Sequence, residues 1–267
     1  MTQARIDSYK LGGCARGAGA ALGFSLIELA MVMLIIALLL GSIMVPLTTQ
    51  VEQRQVKDTQ KMLEDIKEAL IGHAVAKGYL PCPDRTSGGA GTANDTANDG
   101  VEDYGTPTAG ECFGATAGNV PWVTLGLGAS DPWGNRFRYR VDANIARRAP
   151  GSVFGLATAA GLVVCTTATC AVRLTPTTPD GAVAVILSHG KNGYGAMYAL
   201  TNIARPAPTS ADELHNLGGS TYGTRTPTAF ASPCGGAGQP LCEFDDIVTW
   251  LGKYTLFNRM VAAGKLP

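Results

Sequence analysis

The side chains of this chain that could do chemistry are few, and their spacing excludes more than it supports. Three histidines, His73, His189 and His215, are scattered along 267 residues, and no set of His, Cys and carboxylates stands at metal-ligand spacing around them. Ser188 and His189 are neighbours, so on a strand they would project from opposite faces, which gives no support to a nucleophile–base pair. The segment "HGKNGYG" lacks the G-x-x-x-x-G-K-[ST] pattern of a phosphate loop and reads as a Gly-rich turn after a buried strand. Carboxylates gather at Asp95, Asp99, Glu102 and Asp103. They are weak candidates for calcium, because the third and twelfth loop positions counted from Asp95 are Ala97 and Thr106, which do not fit an EF-hand. A fifth carboxylate is the most unusual of all: Glu28 is the only charged residue of the apolar run from Phe24 to Val45. A charge in hydrocarbon costs on the order of 3 kcal/mol even on lenient scales, so its position asks for a reason.

Seven cysteines divide about that run. Cys14 precedes it, and Cys82, Cys112, Cys165, Cys170, Cys234 and Cys242 follow it. An even number on one side reads as an oxidising compartment with up to three disulfides. Many connectivities are open to six cysteines, and pairing of neighbours along the chain is a guess from spacing. Net charge is zero and the basic residues form no cluster, which sets nucleic acid aside.

The elements that must position these residues follow from periodicity and turn signals. The apolar run is long enough, at about 1.5 Å per residue, to cross a hydrocarbon core of about 30 Å, and it lacks the cleavage site that follows the core of a secretory signal peptide. The cysteine distribution places residues 1–23 in the cytoplasm and the bulk of the chain outside. Pro46 ends or kinks the first helical stretch. From residue 47 to about 78, Val51, Leu63, Ile66, Leu70, Ala74 and Val75 recur at helical spacing, with Gly78 as a C-cap. His73 lies on or beside this face as a satisfied helix histidine. Residues 79–267 read as a globular head. It has turn chemistry at Asp131, Pro132, Gly134 and Asn135, strands at "GLVVCTTATCAVRL" and "GAVAVILSHGKNGYGAMY", core anchors at Trp122 and Trp133, a surface excursion from Ile203 to Gly238, and a closing helix or strand–helix unit at "CEFDDIVTWLGKYTLFNRM".

The stretch "GFSLIEL", opening directly into the apolar run, resembles the processing signature of the type IV prepilin and pseudopilin family, and Phe24, Ser25, Leu26, Ile27 and Glu28 match its pattern throughout. "DPWGNRFRY" resembles a strand–turn stretch of the major pseudopilins of type II secretion. The resemblance implies a leader cut after Gly23 by a membrane-embedded prepilin peptidase, methylation of Phe24, and a Glu28 carboxylate that neutralises the N-terminal amine of a neighbouring subunit during assembly. The fold it implies is α+β: a long N-terminal helix, membrane-spanning in its first half (24–46) and amphipathic in its second (47–78), packed on a mainly antiparallel sheet with disulfide-tied loops. It implies a filament subunit rather than an enzyme, with other pilins or pseudopilins and the inner membrane as partners, a periplasmic head, and type II secretion or a type IV pilus as the system served. A head this large favours a minor or tip-proximal subunit. The alternatives are a periplasmic enzyme or binding domain on a prepilin-like anchor, and a pilus adhesin.

Overall fold

The computed structural model describes residues 25–87, 96–105, 112, 116–146, 154–236 and 238–266. Gly23, Phe24, Cys14 and Asp95 lie outside the described residues. The chain divides into two compact units, Met1–Gln50 and Val51–Pro267.

Helix α1 is Leu26–Lys77 and passes Pro46 without leaving helical geometry. In the first unit its start is set by Ser25, whose Oγ accepts a hydrogen bond from the Ile27 amide at 3.3 Å, while the Ser25 carbonyl accepts from Leu29 at 3.1 Å. Ser25 and Glu28 have the spacing of a capping box, and a carboxylate in the first turn suits the positive end of the helix dipole. The large apolar side chains of residues 26–40 are exposed on every side of the helix, from Ile36 at 44% to Leu26 at 89%. The expectation of a long N-terminal helix with a membrane-spanning first half is corrected here. Among the described residues no helix is long and apolar enough to cross a membrane. What stands is an α+β protein with an antiparallel sheet and disulfides.

In the second unit, Leu63, Ile66, Leu70, Ile71 and Ala74 of α1 are buried at three- and four-residue intervals, whereas Val51 stays half exposed. Gly78 closes the helix with φ +88° and donates to the Ala74 carbonyl at 2.7 Å. Beyond it come β1 (Ala117–Asn119), α2 (Trp122–Leu125), β2 (Arg138–Val141), β3 (Val163–Cys165), β4 (Ala182–Ser188), α3 (Ala211–His215), β5 (Thr221–Gly223), β6 (Ile247–Gly252) and α4 (Lys253–Ala262). Four strands form an antiparallel sheet in the order β1-β2-β4-β6, and β3 pairs in parallel with β5. The excursion from Ile203 to Gly238 therefore carries a helical turn and a strand, because Tyr222 is apolar enough to be drawn into the core.

Strand β4, "AVAVILS", is buried at all seven positions. Ala184 and Ile186 face the cluster built with α1, Tyr139, Leu251 and α4, and Val185 and Leu187 face a second cluster with Leu162, Val164 and Tyr222. Apolar residues on both faces explain why this strand lacks the alternation of a half-exposed one. A register shift between Ala182 and Ala184 puts Ala182 with the second cluster, as an extra residue in a strand should.

Leu70 is fully buried where α1 meets this sheet. Leu70→Ala is expected to destabilise the head by about 3 kcal/mol, the usual range for emptying such a site. Urea unfolding followed by tryptophan fluorescence measures it, and a loss below about 1 kcal/mol would mean that α1 is not part of the core.

Candidate functional site

Antiparallel pairing of β4 with β6 matches Ser188 to Ile247, so the residue after one strand and the residue before the other meet at the same end of the sheet. Those residues are His189 and Asp246, both buried. His189 Nδ1 lies 3.1 Å from Asp246 Oδ1, and a carboxylate only accepts, so Nδ1 carries the proton. Asp246 Oδ2 accepts from Asn216 Nδ2 at 2.7 Å, and Asn216, which ends α3, also exchanges two hydrogen bonds with the Gly223 backbone. Helix α3 brings Glu213 to the same place. Its Oε1 accepts from the Asp245 amide at 3.0 Å and from Asn192 Nδ2 at 3.4 Å, and Asp245 Oδ2 accepts from the Asn192 amide at 2.7 Å. Gly190 makes the close approach possible: its φ is +59°, and a Cβ there would stand 2.3 Å from the Asp245 carbonyl oxygen.

Carboxyl oxygens of Glu213, Asp245 and Asp246 lie within 4.8 Å of one another. Burial, with repulsion from Asp246, pushes Glu213 up to about 8 and Asp245 up to about 6. Asp245 Oδ1 is buried without a hydrogen-bond partner, and a side-chain hydrogen bond with Glu213 partly offsets the upward shift of Asp245. At neutral pH the group therefore acts as carboxylates sharing a proton on a hydrogen-bonded frame. Three carboxyl groups so close together form a group that could hold a cation.

The sign of the pH effect follows. Glu213 binds its proton more tightly folded than unfolded, so its contribution is complete below about pH 4.5 and is lost as the pH rises to about 8. Glu213→Gln keeps the Oε1 acceptor and should remove a fall on the order of 2 kcal/mol between those limits. Denaturant unfolding at pH 5 and pH 8.5 measures it, and an equal fall in both proteins would locate the titration elsewhere.

The carboxylates singled out in the sequence sit apart from this group. Asp99 Oδ1 accepts from the Val101 amide at 2.8 Å, Glu102 Oε2 from Cys82 at 3.2 Å, and Asp103 Oδ2 from Arg85 at 2.6 Å. They organise the loop that Cys82–Cys112 closes, around a buried Asp84 that accepts from Asn98 and Gly100 and that burial raises to about 7. Cys165–Cys170 and Cys234–Cys242 form the other disulfides, with Cα atoms 5.1 and 4.9 Å apart. Ser188 Oγ donates to Asp131 at 2.6 Å, away from His189, and His73 Nδ1 meets the Tyr79 carbonyl oxygen at 3.1 Å. His215 ends α3 and does not join the acidic group. Sequence reasoning missed Glu213, Asp245 and Asp246. The Asp245–Asp246 pair directly before β6 was the available sign, but its partner is far away in the chain.

No protein-family model matches the chain, and neither a curated protein nor a solved structure matches it.

Proposed function

We propose that this chain is a structural subunit of a pilin-like filament, processed by a prepilin peptidase after Gly23 and methylated at Phe24, and serving type II secretion or a type IV pilus. The observation that supports it most directly is a helix start at which exposed apolar side chains surround a single carboxylate, Glu28, in the first turn. A helix apolar on every side is stable only among other apolar surfaces. Helices of neighbouring subunits provide such a surface, and the amine created at Phe24 provides the partner that Glu28 needs once it leaves water. Before assembly the chain is held at the inner membrane with its head in the periplasm, where the three disulfides are at home. The size of the head favours a minor or tip-proximal place. A catalytic role has less support, since Ser188 and His189 are committed to different carboxylates.

The test is the N-terminal mass of the protein extracted from cells with and without prepilin peptidase. A methylated Phe24 terminus that depends on the peptidase is the expected result. An intact Met1, or a cut elsewhere, would overturn the reading and return a binding domain on a prepilin-like anchor to first place.

A further inference from the structure

Behind the His189–Asp246 pair lies a cavity of about 90 Å³, walled by Thr86, Asn119, Arg136, Arg138, His189 and the Gly195–Met197 segment. Two of its walls are guanidinium groups. Arg136 lies over Trp122, 3.8 Å from the ring centroid, and donates to Asn202 Oδ1 and to the carbonyl oxygens of Ala129 and Ala199. Arg138 donates to the Leu217 carbonyl oxygen, and its Nε is buried with no acceptor. Among the described residues neither guanidinium forms a salt bridge, although buried charges in proteins are ordinarily paired. Burial disfavours the charged form of both, yet an arginine side chain does not deprotonate, and the carboxylates that act on them, Asp84 on Arg136 and Asp246 on Arg138, do so without an ion-pair contact. The third polar wall is His189, fully buried, whose Nε2 also has no partner. With Nδ1 donating to Asp246, Nε2 is the ring nitrogen left without a partner, an acceptor in the Nδ1-protonated tautomer.

A ligand that satisfies this cavity must be anionic and small. It must offer acceptor oxygens to Arg138 Nε and a hydroxyl to His189 Nε2. Sulfate and chloride supply only the first. Hydrogen phosphate supplies both, since at neutral pH it keeps a P–OH group beside its charged oxygens. We propose that the head contains a binding site for a protonated phosphate group, free or as a small monoester, between Arg138 and His189. The volume admits a group of a few heavy atoms and excludes a nucleotide.

The site is independent of how the chain is processed or assembled, so it can be tested on the full chain in detergent. Isothermal titration with inorganic phosphate, methyl phosphate and sulfate at one ionic strength reads affinity and stoichiometry. One phosphate per chain, bound at least tenfold more tightly than sulfate, is expected. Arg138→Gln should weaken phosphate at least tenfold. In the unaltered chain, phosphate should move the ring-nitrogen resonance of one of the three histidines, a readout that does not depend on the variant folding. Methyl phosphate bound as well as inorganic phosphate would identify a monoester as a competent ligand, and exclusion of methyl phosphate would restrict the site to the free ion. Sulfate bound as tightly as phosphate, no saturable phosphate site, or full affinity in Arg138→Gln would overturn the proposal.

Discussion

Asp246→Ala is expected to destabilise the head by about 3–5 kcal/mol when measured at pH 6. The substitution strips two buried donors, His189 Nδ1 and Asn216 Nδ2, of their acceptor at once, and each unsatisfied group costs about 1–3 kcal/mol. Asn216 also ties α3 to Gly223, so the loss spreads to the short helix that carries Glu213. A counter-effect exists, because Asp246 is one of the charges that raise Glu213. It operates only where Glu213 is ionised, above about pH 8, so the variant should be less impaired at pH 8.5 than at pH 6. Asp246→Asn, which retains one acceptor, should fall between the two proteins. Urea unfolding at both pH values checks all three expectations. A loss that is equal at the two pH values would mean that Asp246 and Glu213 do not interact, and a loss under 1 kcal/mol would mean that the buried network is not structural.

If the chain is the filament subunit proposed above, Glu28→Leu should abolish incorporation into filaments while leaving cleavage and abundance of the mature chain unchanged. The helix start offers a rival explanation, since Ser25 and Glu28 are spaced as a capping box and Ser25 Oγ already accepts from the Ile27 amide. Loss of a cap weakens a helix end by about 1 kcal/mol, too little to account for complete loss of assembly. Glu28→Gln separates the two, because glutamine serves equally in a capping box but carries no charge to meet the amine at Phe24. Filament fractions probed by immunoblot should show Glu28→Gln as deficient as Glu28→Leu. Normal incorporation of Glu28→Gln would assign the residue to capping and remove its role in docking.

Legibility differed sharply between local and distant features. The face of α1 could be read because Leu63, Ile66, Leu70 and Ala74 recur with the period of one helix, and β4 because an apolar run between Gly-rich turns has few other fates. Neighbouring cysteines pair where short loops bring them together. The membrane-spanning half was read from hydropathy and from the resemblance, and among the described residues no helix is long and apolar enough to cross a membrane. The acidic group was illegible for a different reason. Glu213 and Asp246 stand 33 residues apart, and 24 and 57 residues from His189, and only the β4–β6 register and the end of α3 bring them together. The visible acidic loop misled because its carboxylates serve backbone amides, a use that composition does not distinguish from cation binding.

The order in which the central sheet can be completed has a consequence for biogenesis. Strand β4 finds one neighbour, β2, already made when it emerges, but its other edge stays open until Ile247–Gly252 has been synthesised. During that interval "AVAVILS" is an uncharged, proline-free, strongly β-forming heptad with a free ladder, the kind of segment that stacks into cross-β aggregates. A chain interrupted anywhere before Ile247 would retain that hazard permanently, and the intact chain escapes it only as fast as its distant pairing closes. The arrival of Ile247–Gly252 therefore turns an aggregation-prone edge into the middle of a sheet.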